Sequence, residues 1–316
     1  MEQQRIVIAL GGNAIQIGNE ATAKAQQEAC FRTAQQLLQI IQAGHEIVVA
    51  HGNGPQVGNI MLQQEAAKTD KTPAMPFDTC GAMSQGEIGY WLQQAVGNVM
   101  RQADIQKTVA SIISQSIVDP QDPAFTNPTK PVGPFYTEEE AKRIADETGY
   151  TFKEDAGRGW RRVVPSPIPQ TIVEGNMLHH LVQSGFIVIA VGGGGIPVIQ
   201  DEKGDLHGVE AVIDKDLGAE KLAELVDADI LLILTAVERV AINFNKPNQQ
   251  ELSKVSTTEM QRLMEEGHFA PGSMLPKVKA AMSFAMSKPG RKAIITSLER
   301  AFDAIQGNAG TLVIHE

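Results

Sequence analysis

Apolar residues come in short dense runs along this chain, and the run from Phe186 to Val198, FIVIAVGGGGIPV, is the most informative. Its first six residues are continuously apolar and rich in β-branched side chains, the pattern of a strand covered on both faces. The run stops at four consecutive glycines, Gly192 to Gly195. Residues without side chains let another group approach the backbone N–H groups, and such loops cradle phosphate or carboxylate anions. A flexible linker is the competing reading, but a linker seldom sits directly on a buried strand and runs on into Ile-Pro-Val.

The same junction recurs twice upstream. Arg5 to Leu10 reads as an apolar strand and leads into Gly11-Gly12-Asn13-Ala14, and His45 to His51 is a strand that ends in Gly52-Asn53-Gly54-Pro55. Between them Ala34, Leu37, Leu38 and Ile41 fall at i, i+3, i+4 and i+7 on one helix face, with Gly44 where a C-terminal cap belongs. The pattern is helical again from Ser84 to about Arg101, and Thr108 to Ile113 reads as a strand. Thr171-x-x-Glu174 is expected to start the helix before the glycine strand. Past the glycines, Val209 to Ile213 lead into Asp214-Lys215-Asp216 and a helix through Asp227, followed by the buried strand DILLILT, Asp229 to Thr235. Ser256-x-x-Glu259 caps a helix ending at Gly267, and Pro276 and Lys277 lie near the start of a helix through Met286. Strands at Ala293 to Thr296 and Thr311 to Ile314 close the chain. This alternation predicts an α/β fold, a three-layer α/β/α sandwich around a mainly parallel sheet, with ligands at the C-terminal strand ends.

One segment breaks the alternation. Five prolines between Pro120 and Pro134 exclude a regular helix or a central strand. The excursion continues through the capping box Thr137-x-x-Glu140 and the basic-aromatic run GRGWRR, Gly157 to Arg162. Residues 119–165 are therefore expected to form a small protruding subdomain inserted within a single domain spanning 1–316.

Composition narrows the function. The 316 residues carry 27 Lys and Arg against 37 Asp and Glu, a formal charge of −10, so the basic footprint that nucleic-acid binding needs is missing. Arg158, Arg161 and Arg162 around Trp160 accordingly read as structural or substrate-facing. Cys30 and Cys80 form no C-x-x-C and read as free thiols in a reducing cytosol. No apolar run approaches the ~18 residues of a membrane helix, and the N-terminus has no signal-peptide pattern. A soluble cytoplasmic protein with no membrane partner is the expectation.

Known nucleotide fingerprints fail. No Gly-Lys dipeptide occurs, which excludes a Walker A loop, and counting G-x-G-x-x-G from Gly192 puts Pro197 in place of the last glycine. What remains is three strand–glycine junctions and three lysines after glycine- or proline-rich turns, Lys130, Lys215 and Lys277. Several backbone anion cradles with several ammonium groups suit phosphoryl transfer, where positioning and charge neutralisation do most of the catalysis. No Ser-His-Asp set or metal-ligand cluster competes.

The segments ALGGNA (9–14), HGNGPQVG (51–58), DPAFTNPTKPVG (122–133), GRGWRRVVPSP (157–167), VGGGGIPV (191–198), AVIDKDL (211–217), ILTAVERV (233–240) and GSMLPKV (272–278) together resemble the successive signatures of carbamate kinases, within the amino-acid kinase superfamily. The resemblance runs along essentially the whole chain, the proline-rich excursion included. It implies reversible transfer of a phosphoryl group from carbamoyl phosphate to ADP, giving ATP and carbamate, with Mg²⁺, in a homodimer. It further implies that Lys215 and Lys277 flank the phosphoryl group, that Asp216 holds their ammonium groups, and that Lys130 reaches the carbamoyl phosphate from the protrusion. Gly11, Gly12, Asn13, Gly52, Asn53, Gly54, Gly193 and Gly194 would supply backbone and amide donors. The nucleotide would meet Thr235, Val237, Phe244, Met274, Pro276 and Val278. Two alternatives stand beside this reading: another small-carboxylate kinase of the same fold, and a non-catalytic nucleotide or metabolite sensor.

Overall fold

The computed structural model describes residues 2–316 apart from positions 17, 19 and 156, and at Asn13 the backbone only. The apolar runs assemble into an eight-stranded sheet in the order Lys254–Ser256, Thr311–Ile314, Lys292–Ser297, Ile230–Thr235, Arg5–Leu10, Glu46–His51, Ile187–Ile189, Val109–Ser111. Every neighbouring pair is parallel except Lys292–Ser297 with Thr311–Ile314. Successive side chains of a strand point to opposite faces, and Arg5–Leu10 sends Ile6, Ile8 and Leu10 into one core and Val7 and Ala9 into another. Because both faces are covered, the strand is apolar throughout instead of alternating.

Helices complete the outer layers. Ala23–Gln42 and Phe77–Gln102 bring Ala34, Leu37, Leu92 and Val96 to the first core, while Lys215–Leu225 and Met274–Ser287 bring Leu222, Ala223, Ala281 and Phe284 to the second. This is the expected three-layer α/β/α sandwich around a mainly parallel sheet. The parallel registers pair Leu10 with His51, Val49 with Ile189 and Ala9 with Ile233. The glycine turns that follow these strands therefore emerge together along one edge of the sheet, where open α/β folds place their ligands.

Three local expectations need correction. Thr171-x-x-Glu174 is not a cap: Thr171 lies in the strand Pro169–Ile172, the helix begins at Gly175, and the Glu174 carboxylate accepts from the Gln115 backbone N–H (2.8 Å) and side-chain amide (3.0 Å). The helix expected from Ser84 starts at Phe77, directly after Pro76, with Asp78 complementing the dipole of its first turn. Gly54 to Ala66 is a helix, where only a turn was expected; Pro55 sits in its first turn, where a missing N–H costs nothing. Beyond the four glycines the chain joins a second sheet, ordered Leu206–Gly208, Ile196–Gln200, Gln115–Val118, Pro169–Ile172.

Residues 130–164 build a separate antiparallel sheet, with Trp160–Val164 between Lys130–Tyr136 and Phe152–Glu154. Lys130–Tyr136 is an edge strand, which accommodates Pro131 and Pro134. The Thr137/Glu140 capping box opens the helix Glu138–Thr148 with both of its hydrogen bonds made. The basic run is used locally: Arg162 stacks 3.4 Å over the Tyr150 ring, and Arg158 and Arg161 both lie over Phe135 at 5.1 Å. At its base Val132 and Val164 pack with Val57, Ile60, Phe77 and Cys80. Cys30 and Cys80 are both free and buried, and burial pushes the Cys30 thiol up to about 12. No helix among the described residues is long and apolar enough to cross a membrane.

Candidate active site

Asp216 lies in the first turn of the helix Lys215–Leu225 and is 2% exposed. Its two carboxylate oxygens are divided between two ammonium groups, Lys215 Nζ at 2.5 Å and Lys277 Nζ at 3.0 Å. Burial pushes the Asp216 pKa up and is the largest single influence. The combined charge and hydrogen bonding of Lys215 and Lys277 outweigh it, so the carboxyl titrates below the ordinary aspartate range. Lys277 comes from the first turn of Met274–Ser287 and also donates to the Ser273 carbonyl at 3.3 Å. Two helices thus start at this spot, and their N-termini add partial positive charge to that of the lysines.

Asp214, which was not singled out from the sequence, caps the same helix. One of its oxygens accepts from the Asp216 N–H at 3.0 Å, and the other from Lys130 Nζ at 3.1 Å. Lys130 reaches across from the edge of the three-stranded sheet to make this contact. The signal for Asp214 was present in Asp-Lys-Asp at a helix start, since aspartate is among the preferred N-cap residues. Three ammonium groups and two carboxylates therefore form one connected cluster, an excess of one positive charge.

The glycine turns pack against this cluster. A Cβ on Gly52 would stand 3.1 Å from Cδ of Lys215, so the lysine stem lies directly on the Gly52 backbone. Gly194 meets Gly218 of the Lys215–Leu225 helix so closely that a Cβ on Gly218 would be 2.7 Å from the Gly194 Cα. The four-glycine loop is filled by protein to a degree the sequence did not suggest: His51, Asn53, Ile213 and Ser116 occupy the space beside Gly192, Gly193, Gly194 and Gly195 in turn. Two expected amide donors are committed internally, Gly52 N–H to the Leu10 carbonyl (3.2 Å) and Gly194 N–H to the Val191 carbonyl (3.1 Å). These amides hold the turns in place and are not available to a ligand. The side chain of Asn13 lies outside the described residues.

Two clefts flank the cluster. One, of about 300 Å³, is lined by Gly11, Gly12, Lys215, Thr235, Lys277 and Glu299 among others, and the second, of about 460 Å³, by Asn53, Gly54, Lys130 and Arg161 among others. Both are of a size suited to small ligands. Of the residues expected to meet a nucleotide, only Thr235 lines the first cleft. Val278 is a correction: it is fully buried in the core behind Lys277, because helical spacing turns it away from the site. Met274 packs against that same core, Val237 and Pro276 are half-buried, and Phe244 is exposed. Leu298 and Glu299 line the cleft without any sequence signal that marked them.

The model of the amino acid kinase family matches residues 4–297. The chain belongs to the amino acid kinase family. Among curated relatives, this amino acid kinase is 56% identical over 296 residues to carbamate kinase 1 of Enterococcus faecium, covering 94% of each chain. It is 55% identical over 316 residues to the carbamate kinase of Thermococcus kodakarensis, covering 99% of this chain and 100% of that one. Among solved structures, the carbamate kinase of Giardia lamblia bound to AMP-PNP superposes with a TM-score of 0.93 at 45% identity, covering 99% of each chain.

His51, at the end of its strand, is buried, and its Nδ1–H donates to the Gly52 carbonyl at 2.9 Å. Burial lowers its pKa to about 4, against the opposing effect of that hydrogen bond. The folded protein then keeps His51 neutral at pH values where the unfolded chain, with an ordinary pKa near 6.5, binds a proton. Its contribution is complete above about pH 6.5 and is lost as pH falls toward about 4. Urea unfolding at pH 7.5 and pH 5.0 should show the wild type losing about 2 kcal/mol more on acidification than His51→Gln. Equal acid sensitivity of the two proteins would contradict a neutral buried His51.

Proposed function

We infer that the protein is a carbamate kinase, transferring a phosphoryl group reversibly between carbamoyl phosphate and ADP to give ATP and carbamate. The observation that carries this reading is the pair Lys215 and Lys277 on buried Asp216, set between two clefts. The full-length likeness to carbamate kinases supports it. In the ATP-forming direction the bond from phosphorus to the carbamoyl oxygen breaks and a bond to an ADP β-phosphate oxygen forms. Carbamate leaves as an anion, so no proton has to move and no general base is required. The work left to the protein is alignment and neutralisation of the charge on the phosphoryl oxygens.

In this reading ADP occupies the cleft lined by Gly11, Gly12 and Thr235, and carbamoyl phosphate the cleft lined by Asn53, Gly54 and Lys130. Lys215 and Lys277 stand over the group in transit, and Asp216 keeps the two cations at a fixed spacing. Residues 119–165 act as an inserted lid on the single 1–316 domain and carry Lys130 to the substrate. Asp214 and Asp216 are already engaged by lysines, and among the described residues no cluster of three or more His, Cys, Asp or Glu could hold a metal. Mg²⁺ accordingly enters with the nucleotide, bound through phosphate oxygens as part of the substrate. Free thiols at Cys30 and Cys80 suit a reducing cytoplasm.

A homodimer is proposed on the face where Tyr90 and Ile113, 56% and 46% exposed, line one groove beside the edge strand Val109–Ser111. Exposed apolar groups at an unpaired strand edge are a ready contact for a second copy. Light scattering on the eluting protein should give twice the chain mass for the wild type and a single chain for Tyr90→Glu with Ile113→Asp; a monomeric wild type would refute the assignment.

The activity is tested by coupling ATP formation from ADP to carbamoyl phosphate or acetyl phosphate as donor. Carbamoyl phosphate is expected to be much the faster, and equal rates would favour a general small-carboxylate kinase. In Lys130→Ala the KM for carbamoyl phosphate should rise about tenfold or more, the scale of one charged hydrogen bond, while the Kd for ADP stays within about twofold. Equal losses on both substrates would remove Lys130 from the acyl-phosphate side.

A further inference from the structure

We propose that Ser84 and Gln85, adjacent on the helix Phe77–Gln102, are positioning residues that lock the Asn53 turn and the four-glycine loop into one acyl-phosphate half-site. The proposal rests on the carbamate kinase reading above and assigns part of its substrate geometry to two residues that reach neither the reacting atoms nor the lysine cluster.

Both side chains are buried, Ser84 at 0% and Gln85 at 3% exposure. The Ser84 hydroxyl donates to the Gly81 carbonyl at 2.6 Å, which leaves its lone pairs to accept from Asn53 Nδ2 at 2.8 Å. That direction of donation fixes which way the Asn53 amide faces. The amide then lies flat against the loop, for a Cβ on Gly193 would come within 2.3 Å of Asn53 Nδ2. Gln85 serves the other side of the junction. Its Nε2 donates to the carbonyls of Gly192 (2.9 Å) and Ser114 (3.1 Å), and its Oε1 accepts from the Ser114 N–H (2.8 Å). Both amide hydrogens and the oxygen are thus used, a fully satisfied buried network of the kind that specifies one geometry.

The loop requires such support. Val191, which enters it, has φ 57°, a left-handed conformation that is a genuine outlier for a β-branched residue. Conformations of this kind persist only where the surroundings over-determine them. Here Ser114 Oγ accepts from the Val191 N–H at 3.0 Å, and Gln85 holds Ser114 on one side and Gly192 on the other. Neither Ser84, Gln85, Asn53 nor the four-glycine loop lines the cleft of Gly11, Thr235 and Lys277. Asn53, which Ser84 orients, lines the other cleft instead, that of Gly54 and Lys130, so the first effect of the pair falls on the substrate bound there.

The test measures steady-state ATP formation, the Kd for ADP by calorimetry, and thermal unfolding, for wild type, Ser84→Ala and Gln85→Met. Ser84→Ala should raise the KM for carbamoyl phosphate about tenfold, the loss of one buried hydrogen bond, with the ADP Kd within about twofold of wild type. Gln85→Met, which loses three bonds at nearly constant volume, should raise it further. If Gln85→Met does not fold, Ser84→Ala decides alone. An unchanged carbamoyl phosphate KM in folded Ser84→Ala, or an equal rise in KM and in the ADP Kd, overturns the proposal and leaves the pair a purely structural role. A wild type that makes no ATP from carbamoyl phosphate overturns the functional reading and this proposal with it, whereas an active wild type beside an unaffected Ser84→Ala overturns this proposal alone.

Discussion

A carboxylate taken almost wholly out of water, with a lysine on each oxygen, is the arrangement on which the rest of this site depends. Desolvating Asp216 is unfavourable by several kcal/mol, and the attraction of Lys215 and Lys277 offsets that only at close range and in good geometry. The interaction therefore restrains more than two side chains. It ties the first turn of Lys215–Leu225 to the first turn of Met274–Ser287, so that two helix N-termini and two ammonium groups converge on one place. Removing either lysine would leave a buried carboxylate half-compensated, and replacing the carboxylate would let two like charges repel.

Close packing holds this cluster to the sheet. Gly218 against Gly194 brings helix and loop backbones into contact, and Lys215 lies on Gly52, so the position of the charged groups is referred to the C-terminal edge of the parallel strands. Sheet, glycine turns and helix starts then form one rigid frame, of the sort that electrostatic catalysis needs, because charges fixed in advance do not have to reorganise during the reaction. Lys130 is attached differently. It belongs to a separate small sheet and reaches the frame through Asp214, the cap of the same helix.

The elements that carry the frame were legible because each has a strong local signature. DILLILT and the three strand–glycine runs are dense apolar segments, the last three stopping at glycines, and these become neighbouring strands of the large sheet. The meeting of Lys215 and Lys277 was not legible from spacing, since 61 residues separate Asp216 from Lys277; it came from the resemblance of whole motifs. The supporting residues were invisible for physical reasons. Ser84 and Gln85 are polar residues inside a helix, where the usual reading is a solvated face, and burial is known only once their partners are in place. No strand was read from Ile196 to Gln200, yet this segment pairs in a second sheet. The glycines of the loop were read as room for a ligand, but a sequence cannot say whether a ligand or a neighbouring side chain fills that room.

The claim that Lys215, Asp216 and Lys277 act as a single electrostatic unit is tested most directly by a double-mutant cycle on the two lysines. kcat with carbamoyl phosphate and ADP would be measured for Lys215→Ala, Lys277→Ala and the double variant, with circular dichroism on each. Each single variant should fall by roughly 10² to 10³ while remaining folded, the scale for one donor to a transition-state oxygen. The double variant should fall by less than the product, as groups serving one transition state do. Single variants that stay folded and turn over within a few-fold of wild type would contradict the account.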